Sequence, residues 1–109
     1  MYPDKEIHFA EIGYPTSETN NSSPQKQAAF IHNMFLAWDK HASQITLISY
    51  AWLTDLPQVS IKEYEDYYGL SDPAFAEFLR TLGLRTYPGN GEDKPGFQVF
   101  QEESKARGW

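Results

Sequence analysis

The stretch Ile7-His8-Phe9-Ala10-Glu11-Ile12-Gly13-Tyr14-Pro15 decides how the rest of the chain is read. Over about residues 6–13 its side chains alternate, with Ile7, Phe9 and Glu11 on one face and His8, Ala10 and Ile12 on the other. Apolar residues on both faces predict a strand of a buried parallel sheet rather than the half-solvated strand of a hairpin. Gly13-Tyr14-Pro15 breaks the pattern, and residues 15–23, rich in Thr, Ser and Asn, form a polar loop.

Working outward, Ser23-Pro24 is a helix N-cap followed by proline at the first helical position. A helix is predicted over about residues 24–42, with Ala28, Ile31, Met34, Phe35, Trp38 and Ala42 on one stripe. The β-branched and aromatic run from Ile45 to Leu53 predicts a second strand. Strand, helix, strand is a βαβ unit, whose two strands should lie parallel with a right-handed crossover.

Beyond Thr54-Asp55-Leu56-Pro57 the pattern turns helical. Ser60-Ile61-Lys62-Glu63 has the form of a capping box, opening a helix that stops at Gly69. Asp72-Pro73 opens another, with Phe75, Phe78, Leu79 and Leu82 on one face and Gly83 as its stop. Residues 84–93 are expected to be loop. A last amphipathic helix over about residues 94–107 turns Phe97 and Phe100 inward. The expected fold class is α/β: two parallel strands with a crossover helix, followed by three helices.

Length and composition narrow the function classes. At 109 residues the chain forms one unit, and a whole eight-fold β/α barrel, at ~200 residues or more, does not fit. Fifteen acidic against nine basic residues give a formal charge of −6, which argues against nucleic acid and anionic membrane surfaces as partners. Cysteine is absent, which removes thiolate chemistry and disulfides. No apolar run approaches the ~20 residues of a membrane span, and Met1-Tyr2-Pro3-Asp4-Lys5-Glu6 has no apolar leader core. The seventeen aromatic residues suit either a dense core or a surface that stacks on sugar rings.

Two parallel strands alone leave two open sheet edges, and every other predicted element is helical. The chain is therefore expected to be a piece of something larger. It would complete its sheet with a missing N-terminal portion or by self-association.

The peptide Phe9-Ala10-Glu11-Ile12-Gly13-Tyr14-Pro15-Thr16-Ser17 resembles the end of the seventh strand in retaining glycoside hydrolases built on a TIM barrel. Ile48-Ser49-Tyr50-Ala51-Trp52-Leu53-Thr54-Asp55 is similar to their eighth strand. Thr81-Leu82-Gly83-Leu84-Arg85-Thr86 and Gly91-Glu92-Asp93-Lys94-Pro95 are similar to the final loop and helix. The clan includes endo-galactanases and cellulase-like enzymes. The resemblance covers nearly the whole chain, as the last two β/α units of a partial TIM barrel.

The resemblance implies that Glu11 is the catalytic nucleophile, that Trp52 floors the subsite beside the scissile bond, and that Tyr14 contacts substrate. The substrate would be a β-linked poly- or oligosaccharide. Retaining hydrolysis also needs a general acid/base about 5–5.5 Å from the nucleophile. In the clan that residue follows Asn on the fourth strand. This chain has no Asn-Glu pair, so the segment alone is expected to be inactive.

Other readings stand beside these. Glu11 is also readable as an ordinary strand-end carboxylate, Trp52 as a core aromatic and Tyr14 as turn packing. Tyr64, Tyr67 and Tyr68 read as helix packing, and Asp55 and Asp72 as turn and cap residues. His8 is expected to pack behind the strand. His8, His32 and His41 lack metal-ligand spacing, so no metal and no cofactor is expected. The alternative function is a non-catalytic carbohydrate-binding or interaction module derived from the barrel.

Overall fold

Strand β1 forms over Ile7–Ile12 and β2 over Ile45–Tyr50, and they pair in parallel. They belong to a computed structural model that describes residues 4–88 and 90–109. The leader reading of Met1 to Glu6 falls in part on Met1, Tyr2 and Pro3, which lie outside those residues. The register runs from Ile7 opposite Ile45 to Ile12 opposite Tyr50, with irregularities after Ile7 and after Phe9.

The second irregularity changes the faces of the strand. A regular strand would put Phe9 and Ile12 on opposite sides, as the alternation predicts. Because the pairing slips between them, both line one apolar groove with Phe30, Met34 and Trp38 of the first helix.

That helix, α1, spans Pro24–Lys40. Ser23 caps it, its hydroxyl accepting from the Lys26 N–H at 3.1 Å. It ends two residues before the predicted stop because the His41 carbonyl accepts from the amides of Gln44 and Ile45, turning the chain into β2. The Trp38 indole N–H donates to the Ile45 carbonyl at 2.7 Å and pins that corner.

Three helices follow, α2 over Gln58–Tyr68, α3 over Pro73–Arg80 and α4 over Pro95–Ala106. The Ser60 capping box is not used. Pro57 takes the N-cap position at φ −72°, no side chain caps the end, and Ser60 lies inside the helix. A proline's fixed φ suits helix entry, so the start moves upstream. Asp72 does cap α3, accepting from the Ala74 N–H at 2.9 Å. Gly83 is not the stop of α3. Thr81 is its C-cap, while a Cβ on Gly83 would lie 2.2 Å from the Thr54 carbonyl carbon. Gly83 is a close-approach residue there. The expected loop over residues 84–93 also carries order, since Arg85 bridges both Thr54 and Asp93.

The core lies between α1, α4 and one side of the sheet. Ile31 and Phe35 are completely buried, with Met34 and Leu84 beside them. Phe97, Phe100, Ile48 and Tyr50 close over this group. Each fully buried side chain of this size contributes roughly 1.5–3 kcal/mol. Phe35 also meets Phe100 edge-on at 5.5 Å, and the Arg107 guanidinium sits 4.8 Å from its ring centroid. Arg107 in turn donates to both Asp39 oxygens, at 2.9 and 2.6 Å, and to Glu103 at 2.7 Å, clamping α4 to α1.

The sheet itself is less covered than the sequence predicts. Ile7, Phe9 and Leu47 are 37, 41 and 47% exposed, and His8 is exposed near Glu6 rather than packed. The physical reason is numerical. Two strands and one covering helix cannot bury both faces of a parallel sheet. The observed class is mixed α/β, with two parallel strands and four helices.

Two outcomes follow from this packing. Phe35→Ala should lower unfolding free energy by about 3–5 kcal/mol in urea titration, because a fully buried ring leaves a cavity. Hydrogen bonds from Arg107 hold the Asp39 and Glu103 carboxyls below their ordinary values of 3.8 and 4.5, assisted at Glu103 by His32. Depressed carboxyls add stability above their unfolded values and lose it as pH falls through the folded ones. Acidification below about pH 4 should therefore lower the melting temperature, and Arg107→Ala should flatten that dependence.

Candidate functional site

Because β1 and β2 are parallel, their C-terminal ends emerge on the same edge of the sheet. The Ala51 N–H donates to the Ile12 carbonyl at 2.8 Å and carries the pairing one residue further. Beyond it the two chains part around a cleft of about 480 Å³. Glu11, Gly13 and Trp52 line the strand side, and Tyr64, Tyr68 and Phe75 line the helical side. Ligand sites of open α/β folds form at this edge, outside the carboxyl ends of the strands.

Gly13 makes the cleft's floor possible. A Cβ there would approach Leu82 Cδ1 to 3.0 Å and the Ala51 Cβ to 3.1 Å, so a larger residue would push the floor outward. Leu82 is buried beneath it, directly after α3.

The cleft that Glu11 lines also carries a run of rings. Trp52 lies 5.9 Å from Tyr64 by ring centroids, and Tyr64 lies 6.4 Å from Tyr68 with the ring planes only 9° apart. Phe75 meets Tyr68 edge-on at 6.0 Å. Tyr64 and Tyr68 are one helical turn apart on α2, the spacing that reads as packing. They do pack, on each other and on Trp52, and they also face open space. Tyr68 is 58% exposed and Tyr67 is 82% exposed. No sequence signal separates this lining stripe from a core stripe: acids interleave its tyrosines, and Gln98, Gln101 and Glu102 interleave the core-packed phenylalanines of α4 in the same way.

Of the three residues singled out from the sequence, Glu11 and Trp52 share this cleft. Tyr14 lies elsewhere. Its ring stacks on Phe30 of α1 at 4.9 Å, its N–H donates to the Tyr50 hydroxyl at 3.2 Å, and its carbonyl accepts from Gln27 Nε2 at 2.9 Å. Burial pushes the Tyr50 phenol up to about 12, so it remains a neutral hydroxyl at this joint.

Beneath the loops sits a buried ion pair that the sequence reading passed over. The Lys94 ammonium donates to Asp55 at 2.6 Å, to the Thr81 carbonyl at 3.1 Å and to the Thr16 hydroxyl at 3.2 Å. Asp55 also accepts from the Gly83 N–H at 3.0 Å. The side chains of Lys94 and Asp55 are 8 and 13% exposed. Burial raises the Asp55 carboxyl and lowers the Lys94 ammonium from their ordinary values, while their mutual hydrogen bond opposes both shifts. Asp55 is thus a hub between loops rather than a simple turn residue.

Chemically, the cleft offers one carboxylate at the rim of an aromatic trough. Among the described residues no second carboxyl lines it, and no group of three or more His, Asp or Glu residues is placed to hold a metal. No helix is long and apolar enough to cross a membrane.

Lys94→Met should cost about 3–5 kcal/mol of stability, because it leaves Asp55 buried and unpaired. Adding Asp55→Asn in the same chain should recover a large part of that loss in urea titration, since the uncompensated charge is then gone.

Compared with known proteins, the chain matches no family model, no curated protein and no solved structure.

Proposed function

We propose that this chain is the C-terminal part of a TIM-barrel retaining glycoside hydrolase, supplying its seventh and eighth β/α units, with Glu11 as the nucleophile. The observation that supports this reading is the shared cleft. Glu11 from the end of β1 and Trp52 from just beyond β2 line one trough at the C-terminal edge of parallel strands, where such barrels carry out their chemistry.

In this reading the Glu11 carboxylate attacks the anomeric carbon and forms a glycosyl ester, while the acid/base, outside this chain, protonates the leaving oxygen. Water then cleaves the ester with that same residue acting as base. Trp52 stacks on the apolar face of the sugar beside the scissile bond. Tyr14, turned onto Phe30, holds the Gly13–Pro15 turn instead of touching sugar. The exposed Ile7, Phe9 and Leu47 are surfaces that the remaining barrel would cover.

A second reading is a carbohydrate-binding module without catalysis. It is supported by the aromatic lining of the cleft, Trp52, Tyr64, Tyr68 and Phe75, which can stack on sugar rings without any catalytic pair.

The experiment is Glu11→Gln in the complete barrel, assayed on aryl glycosides and β-linked polysaccharides. The nucleophile reading expects a loss of roughly a thousandfold or more in kcat. Full activity of the variant would reject it. Unchanged binding of oligosaccharide by a protein that never hydrolyses it would favour the binding module.

A further inference from the structure

The aromatic run lines a second cleft as well. This cleft, of about 360 Å³, is lined by Glu63, Tyr64, Tyr67 and Tyr68. The two clefts therefore share Tyr64 and Tyr68, and each carries one carboxylate, Glu11 in the first and Glu63 in the second.

The charges are unevenly used across the molecule. Asp39, Asp55, Asp66, Glu77, Asp93 and Glu103 each have a cationic partner. Among the described residues Glu11 and Glu63 have none, as is also true of Glu18, Glu65, Asp72, Glu92 and Glu102; what marks the two clefts is that no Lys, Arg or His lines either. Lys62, next to Glu63 in sequence, is held by Asp66. Ring faces present negative quadrupole charge, so tyrosines and an unpaired carboxylate together make a site for a cation. The formal charge of −6 adds to that field and disfavours uronic or sulfated chains.

We infer that the two clefts form one continuous trough for a basic oligosaccharide, a chain of amino sugars with free protonated amines. This rests on reading the Glu11 cleft as a sugar site. One sugar ring lies over Trp52 and Tyr64 beside Glu11. The next continues along Tyr68 and Tyr67, its ammonium facing Glu63. The preference is set by charge on α2, away from the reacting carbon, so it is measurable as binding without hydrolysis.

The test is calorimetric titration of the 109-residue chain at low salt and about pH 5.5, where carboxylates are ionised and amines protonated. Three tetramers serve as probes: β-linked glucosamine, its fully N-acetylated counterpart, and β-linked glucose. The glucosamine tetramer should bind about fivefold more tightly than either neutral one. Glu63→Gln should remove most of that preference, and Tyr68→Ala should weaken all binding. Both side chains are exposed, and circular dichroism checks that the variants fold. Equal affinity for all three tetramers overturns the amino-sugar inference and leaves the sugar reading standing. An unchanged preference in Glu63→Gln also overturns the inference. Binding of none of them overturns the inference, while the glycoside hydrolase reading is decided separately by the Glu11→Gln assay in the complete barrel.

Discussion

A single ammonium group, that of Lys94, holds the ends of this structure together. It reaches Thr16 from the loop after β1, Asp55 from the loop after β2, and the Thr81 carbonyl at the end of α3. Its own backbone starts α4. Four segments that are distant in sequence therefore meet on one charge. Desolvating that charge is costly, and the interaction is favourable only while every partner stays in place. Gly83, whose amide donates to the same Asp55, is locked against the Thr54 backbone at a distance no side chain tolerates. Leu82 is thereby fixed under Gly13, and the cleft floor inherits its shape from the ion pair below it.

The sheet shows the opposite situation. Its two strands are tied by a parallel ladder interrupted after Ile7 and after Phe9, and its apolar residues remain partly in water. Here the constraint is geometric. One helix covers one face, and the slip between Phe9 and Ile12 turns both residues toward that helix. The stability of the unit must then come mostly from the α1–α4 interface, where Phe35, Phe100 and the Arg107 clamp converge.

These contrasts explain what was legible in the sequence. Elements whose ends are encoded locally were readable: Ser23-Pro24 and Asp72-Pro73 each combine a capping side chain with a proline that cannot extend the helix backward. The parallel pair was readable from its apolar runs. Features decided by distant partners were not. Ser60 offers a capping box, but Pro57 sets the helix start first. Gly83 looks like a helix stop, whereas its small size answers a backbone 28 positions away at Asp55. The role of Asp55 required knowing that Lys94 folds back beneath it. The strand slip, which decides the neighbours of Phe9, leaves no mark in a two-residue periodicity.

The aromatic residues resolve by the same distinction. Phe35 is fully buried, and Phe97 and Phe100 pack against its cluster although Gln98, Gln101, Glu102 and Glu103 surround them in sequence. Tyr64, Tyr67 and Tyr68 alternate with acids and stay at the surface, although their helical spacing is equally regular. Periodicity reports that a helix has a face; whether that face meets protein or water depends on the element packed over it, which for α4 is α1. For the carboxylates the sorting is by partner. Asp39, Asp55 and Glu103 are paired and tie elements together, whereas Glu11 and Glu63 have no ion pair among the described residues and hold no second element in place. Beside aromatic rings, a carboxylate that ties nothing leaves its field for a cation entering the cleft.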